Sequence, residues 1–190
     1  ANPRYMMPKW SFGIRPETVQ KNVNAARDAG AQIVVLLSHN GFDVDQKLAT
    51  IVTGIDVILT GHTHDAVPQA LKIDKTLLLS SGSHGKYLGR IDLDVKGGEV
   101  VDYSSTLIPV FSDVITPDPE MSAHIDALRA PYEAECNRVI GSTSGLLYRR
   151  GNFNGTWDDL ICQGIIEERD VEISLSPGFR WGTTLLPGQD

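Results

Sequence analysis

The sequence predicts an α/β fold built from parallel strand–helix units. Two short apolar runs, Ile33–Ser38 and Asp56–Thr60, each stop at a turn rich in glycine and histidine. Stretches with apolar residues at helical spacing lie before and between them, the alternation that produces a parallel sheet. Both runs deliver histidines: His39 after the first, His62 and His64 after the second. Loops at the C-terminal ends of parallel strands are where open α/β sheets place their chemistry.

Taken in order, the first helix starts at Pro16, and Val19, Val23 and Ala26 recur on one face until Gly30 stops it. The strand Ile33–Ser38 follows and runs into His39-Asn40-Gly41. A short amphipathic helix over about Gln46–Val52 leads to the second strand, Val57–Thr60, and then to Gly61-His62-Thr63-His64-Asp65. From Leu71 the texture changes to short strands with turn signals, Thr76–Ser80, Tyr87–Val95 and Val100–Leu107. Lys96-Gly97-Gly98-Glu99 joins the last two as a β-hairpin. Thr116-Pro117-Asp118-Pro119-Glu120 interrupts the chain and opens a polar helix extending to about Arg138. Beyond it a helix begins at Thr156-Trp157, Val171–Leu175 reads as a strand, and Ser176–Arg180 as the loop at its end. The expected organisation is a domain over 1–115, a linker helix over 116–140 and the beginning of a second domain over 141–190.

Composition narrows the function. The 17 Lys+Arg stand against 24 Asp+Glu, a formal net charge of -7, and no basic cluster offsets it. Nucleic acid is therefore not an expected partner, because binding it relies on a basic face that neutralises phosphates. No apolar run reaches the roughly 18–20 residues that a membrane span needs. Cys136 and Cys162 are too few for a disulfide framework and lack metal-ligand spacing.

A lone histidine is ordinarily a hydrogen-bonded or surface imidazole, but three at two neighbouring strand ends point to a metal site. Neutral imidazole suits zinc, copper, iron, nickel and manganese, and carboxylates shift the preference toward harder ions such as manganese. The histidines by themselves do not choose among these. A catalytic site of this kind holds one or two ions, which polarise a substrate oxygen and make water a nucleophile near neutral pH.

Ser38-His39-Asn40-Gly41 and Gly61-His62-Thr63-His64 resemble the last two metal-binding motifs of the calcineurin-like metallophosphoesterases, in the branch with the 5'-nucleotidases. Ser81–Arg90 resembles the strand-turn-strand that follows the metal site there, and Tyr148–Asp190 the opening of the C-terminal substrate-binding domain. Within that branch, Ala1–Met6, Ser38–Asp45 and Ser176–Gly182 resemble the thiosulfohydrolases of bacterial sulfur oxidation. The resemblance implies the C-terminal half of a four-layer αββα sandwich followed by the start of a 5'-nucleotidase-type α/β domain. It marks the chain as an internal piece of a longer protein.

Further expectations come from the same resemblance. Two Mn2+ ions occupy each complete site, with His39 and His62 each serving one ion of the pair and His64 the other. The remaining ligands and the catalytic histidine come from motifs outside this chain, so the isolated piece is expected to be inactive. Arg180 matches the arginine that binds the anionic group of the substrate, a task suited to a planar guanidinium fork. Arg149 and Arg150 fall near further anion-binding arginines, and His84 lies in a turn near the metal cleft. The implied reaction is hydrolysis of the terminal sulfonate from a cysteine S-thiosulfonate on the carrier protein SoxYZ, releasing sulfate in the periplasm. Pro177 and Phe179 depart from the nucleotidase loop and weigh against a nucleotide substrate. A 5'-nucleotidase and a metal-free binding domain of the same fold are the alternatives.

Overall fold

We describe a computed structural model of the chain over residues 4–149, 155–176 and 184–190. The chain divides into two compact units, with the boundary between Pro117 and Asp118. Residues Arg150 and Arg180 lie outside the described residues, as does the loop over 177–183.

The first unit is organised around a four-stranded sheet of order β1-β2-β4-β3, with β1 Val35–Ser38, β2 Val57–Thr60, β3 Leu71–Ile73 and β4 Thr76–Ser80. β1, β2 and β4 are parallel, and β3 adds an antiparallel edge to β4. The register sets Ser38 beside Thr60 and Thr60 beside Ser80. Three strands thus end level, which brings the loops that follow them to one edge of the sheet.

Helix α1 (Pro16–Asp28) forms as its apolar spacing predicts. β1 starts two residues later than the apolar run suggests, because the Val34 N–H donates to the Asp56 carboxylate at 2.7 Å instead of joining the ladder. The second helix departs further from expectation. α2 spans Phe42–Ala49 and not Gln46–Val52. Gly41, at φ 102°, turns the chain directly from the His39 loop into the helix. Asp43 and Asp45 then fill the first turn, where the helix dipole favours carboxyl groups.

Both faces of the sheet centre are covered, which explains why β2 and β4 read as continuous apolar runs. On one face Ile58 and Leu78 pack with Val23, Leu48, Val52 and Ile55 from α1, α2 and the segment after α2. On the other, Val57, Leu77 and Leu79 meet Ile91, Leu93 and Tyr103 of a two-stranded hairpin, β5 (Tyr87–Lys96) and β6 (Glu99–Pro109). Gly97 and Gly98, at φ 61° and 82°, make the expected turn between them. At the β1 edge the second face is bare, with Val35 and Leu37 50% and 78% exposed.

The second unit contains α3 (Pro119–Arg129), α4 (Glu133–Cys136) and α5 (Thr156–Arg169). The single helix expected to run to about Arg138 is broken into a 3-10 turn at Ala130–Tyr132, because Pro131 offers no N–H and its ring clashes with the preceding turn. Asp118 caps α3 by accepting the Met121 N–H at 2.8 Å. α5 begins at Thr156, as the sequence indicates. The expected strand over Val171–Leu175 does not form: this segment is irregular, and a strand without a paired neighbour has no ladder to stabilise it. Among the described residues no helix is long and apolar enough to cross a membrane.

Candidate metal centre

The level strand ends carry the histidines. His39 follows Ser38 of β1, and His62 follows Thr60 of β2 by two residues. Their rings meet edge to face with centroids 5.1 Å apart. The third, His64, lies two residues further along the same loop and packs against His84, with ring centroids at 5.6 Å and planes nearly perpendicular. The four imidazoles therefore form two pairs. His39, His62 and His84 are exposed, and His64 is half-buried.

The loops are held against one another by contacts that restrict side-chain choice. The Gly61 N–H donates to the Ser38 carbonyl at 2.9 Å. A Cβ on Gly61 would stand 3.2 Å from His39 Nδ1, so glycine gives that imidazole its room. Gly41 is constrained twice, by its positive φ and by Thr63 Cγ2, which a Cβ would meet at 2.8 Å. The Thr63 hydroxyl also accepts the Phe42 N–H at 3.1 Å. On the far side, the Ser80 hydroxyl donates to the Asp65 carbonyl at 2.6 Å, and the Gly82 N–H reaches the same carbonyl at 2.7 Å.

Three of these histidines adopt left-handed backbone: His62 at φ 86°, His64 at 60° and His84 at 59°. Such conformations cost of order 1–3 kcal/mol each for a residue with a side chain and concentrate at functional sites. In His84 the turn is bracketed by Gly82 and Gly85, both at positive φ, and its Nδ1 lies 2.9 Å from the Ser83 hydroxyl.

Sequence reasoning missed the carboxyl group beneath this site. Asp45 is fully buried. It accepts the Ser38 hydroxyl at 2.7 Å, the Asn40 amide at 3.4 Å and the Thr60 hydroxyl. The available signal was the spacing of Asp45 four residues after Gly41, but an expected helix beginning at Gln46 placed Asp45 in a loop.

The donor set suits a divalent ion. Imidazoles at adjacent strand ends, with His39, His62 and His84 exposed, carry the ligand chemistry of borderline metals. Among the described residues, no group of three or more His, Cys, Asp or Glu side chains is arranged to hold a metal ion. What the structure brings together is His39 beside His62 and His64 beside His84.

The second unit holds a different constellation. Asp158, in the first turn of α5, accepts the Ser176 hydroxyl at 2.9 Å, the Gly155 N–H at 3.2 Å and Arg149 Nε at 3.4 Å. Burial by itself would raise the Asp158 carboxyl, but the Ser176 hydroxyl, the Gly155 N–H and the Arg149 guanidinium hold it below its usual range. The structure thus places Arg149, a candidate anion-binding arginine, in an ion pair.

Comparisons with known proteins bear on this arrangement. No family model matches the chain. The sulfate thiohydrolase SoxB of Thermus thermophilus superposes on 99% of the chain with a TM-score of 0.88 and 35% sequence identity, the chain covering 35% of that protein. A 5'-nucleotidase precursor, also from Thermus thermophilus, superposes on 95% of the chain with a TM-score of 0.82 at 22% identity, the chain covering 40% of it. The trifunctional nucleotide phosphoesterase YfkN of Bacillus subtilis is 29% identical over 133 residues, 67% of the chain and 9% of that protein. The chain therefore spans about a third of the SoxB structure and less of YfkN. Its fold is the mixed α/β fold of the metallophosphoesterases and 5'-nucleotidases.

Proposed function

We propose that this chain is part of a metal-dependent hydrolase that releases sulfate from a cysteine S-thiosulfonate on a carrier protein of the SoxYZ type, in the periplasm. One observation carries the choice of substrate: the similarity to the sulfate thiohydrolase SoxB extends over 99% of the chain at 35% identity, against 22% for the superposed nucleotidase. In this reading His39, His62 and His64 hold part of a pair of Mn2+ ions, and Arg180 binds the sulfonate oxygens. The 1–115, 116–140 and 141–190 segments are the end of the catalytic domain, a linker and the start of the substrate-binding domain.

When bound, manganese supplies Lewis-acid polarisation of a sulfonate oxygen and makes water a nucleophile near neutral pH. The residues of this chain do the rest. The His39–His62 and His64–His84 ring contacts bring imidazoles together at the sheet edge, where His39, His62 and His64 would hold the ions. Glycines at 41 and 61 let the two loops approach. Hydrolysis adds water across the terminal sulfur–sulfur bond, so that sulfate and a proton leave and the carrier cysteine retains the sulfane sulfur as a persulfide. Sulfonate and phosphate are both tetrahedral oxyanions, so one scaffold serves either chemistry.

The 0.82 TM-score against a 5'-nucleotidase precursor supports a second reading, a nucleotide phosphoesterase on the same metals. The two readings separate in one experiment on the complete protein. Sulfate release from SoxYZ loaded with a cysteine S-thiosulfonate is measured with manganese and after chelation, beside hydrolysis of adenosine monophosphate. Manganese-dependent sulfate release without nucleotidase activity is the expected result. Nucleotide hydrolysis without sulfate release would keep the metal site and overturn the substrate.

A further inference from the structure

We infer that Asp45 is a positioning residue for the histidine site, holding the ends of β1 and β2 together so that His39 and His62 are presented side by side. The inference rests on the metal-site reading above and extends it to a side chain that lies beneath the ligands. Asp45 belongs to α2, not to either strand, and its carboxyl bridges three elements. One oxygen takes the hydroxyl of Ser38, the residue before His39, and the amide of Asn40, the residue after it. The other oxygen takes the hydroxyl of Thr60, two residues before His62.

Two features separate this carboxyl from an ordinary buried polar group. Its neighbours on α2, Leu48 and Ala49, belong to the apolar core, where an apolar side chain would pack without the cost of burying a carboxyl. All three of its side-chain partners adjoin histidine-bearing loops. Exposed imidazoles such as His39 and His62 receive little orientation from packing, so their backbone anchors must supply it.

The test uses the complete protein stripped of metal, with manganese binding followed by titration calorimetry and the melting temperature of the metal-free form read in parallel. Asp45→Asn and Thr60→Val are expected to weaken manganese binding about 10–100-fold, the range for outer-shell partners of metal ligands, while Thr60→Ser stays within about threefold of the parent. His62→Ala, which removes a proposed ligand, is expected to weaken it more than either. Rescue by serine separates positioning from packing, since serine keeps the hydroxyl and loses the methyl. Thr60→Val carries the test by itself if Asp45→Asn does not fold. Manganese binding by Asp45→Asn and Thr60→Val within about twofold of the parent, alongside loss in His62→Ala, would make Asp45 merely structural, whatever the melting shift. Parent-like binding by His62→Ala would instead overturn the metal-site reading, and the inference with it.

Discussion

Opposite ends of the same strand pair are each closed by an aspartate, and the two are held differently. At the N-terminal end Asp56 accepts Arg27 at 2.5 Å and the Val34 N–H at 2.7 Å. Arg27 also donates to the carbonyls of Ala31, Gln32 and Gly54, so a single guanidinium gathers the end of α1, the approach to β1 and the approach to β2. At the C-terminal end Asp45 is more deeply buried, yet its side-chain partners among the described residues are neutral hydroxyls and an amide. An arginine closes the end that only needs to be stable. Among the described residues the end beneath the histidines is closed without a cation, which fits the metal-site reading proposed above.

That contrast is broken most severely by a change common to both ends. Leu78 is fully buried in the middle of β4, beside Ile58 of β2. Leu78→Ala is expected to lower stability by about 2–5 kcal/mol through lost burial and the cavity left behind. Chemical denaturation measures this, and manganese affinity of the folded protein should hold.

A sharper cut comes from the arginine end. Arg27→Met keeps the aliphatic stem and, among the described residues, leaves the mostly buried Asp56 side chain with the Val34 N–H alone. The expected loss is roughly 1–3 kcal/mol, near that of a charged hydrogen bond and below that of a fully buried pair, because Arg27 is 29% exposed. Manganese affinity should again be unchanged, and a tenfold fall would show that the two ends are not independent.

Asp158 extends the comparison to the second unit, where an arginine and neutral donors share one carboxyl. Its carboxyl is held below the usual range in the folded state, so the folded protein binds that proton more weakly than the unfolded chain. The resulting stability is present above about pH 4 and is lost as pH falls through the lower folded value. Asp158→Asn should flatten this acid limb in melting temperature against pH, and an unchanged slope would remove Asp158 as its source. The smallest effect belongs to Lys75 and Glu99, an exposed pair at 3.4 Å. Lys75→Ala should change stability by less than about 0.5 kcal/mol, a difference that added salt erases.

Where local signals carry the information, the sequence was readable. Apolar runs ending in histidine located β2 and most of β1, paired glycines located the hairpin turn, and Thr156 located the start of α5. Each of these depends on residues close in the chain: apolar periodicity, turn glycines and a helix-starting threonine. The departures have the opposite character. The Val171–Leu175 segment is apolar enough for a strand but lies unpaired among the described residues. α2 begins at Phe42 because Gly41 turns sharply against Thr63, a residue beyond the next strand.

The amino-acid sequence by itself determined that this chain has parallel strand–helix units and that His39, His62 and His64 stand at strand ends, since spacing and side-chain chemistry are local properties. Only the tertiary structure decided that Ser38, Thr60 and Ser80 end level, that His84 reaches His64, and that Asp45 is the buried link under both loops. The strand register and ring contacts at this site join residues 20 to 23 positions apart in the chain. Such partners are chosen by packing, which no local pattern encodes.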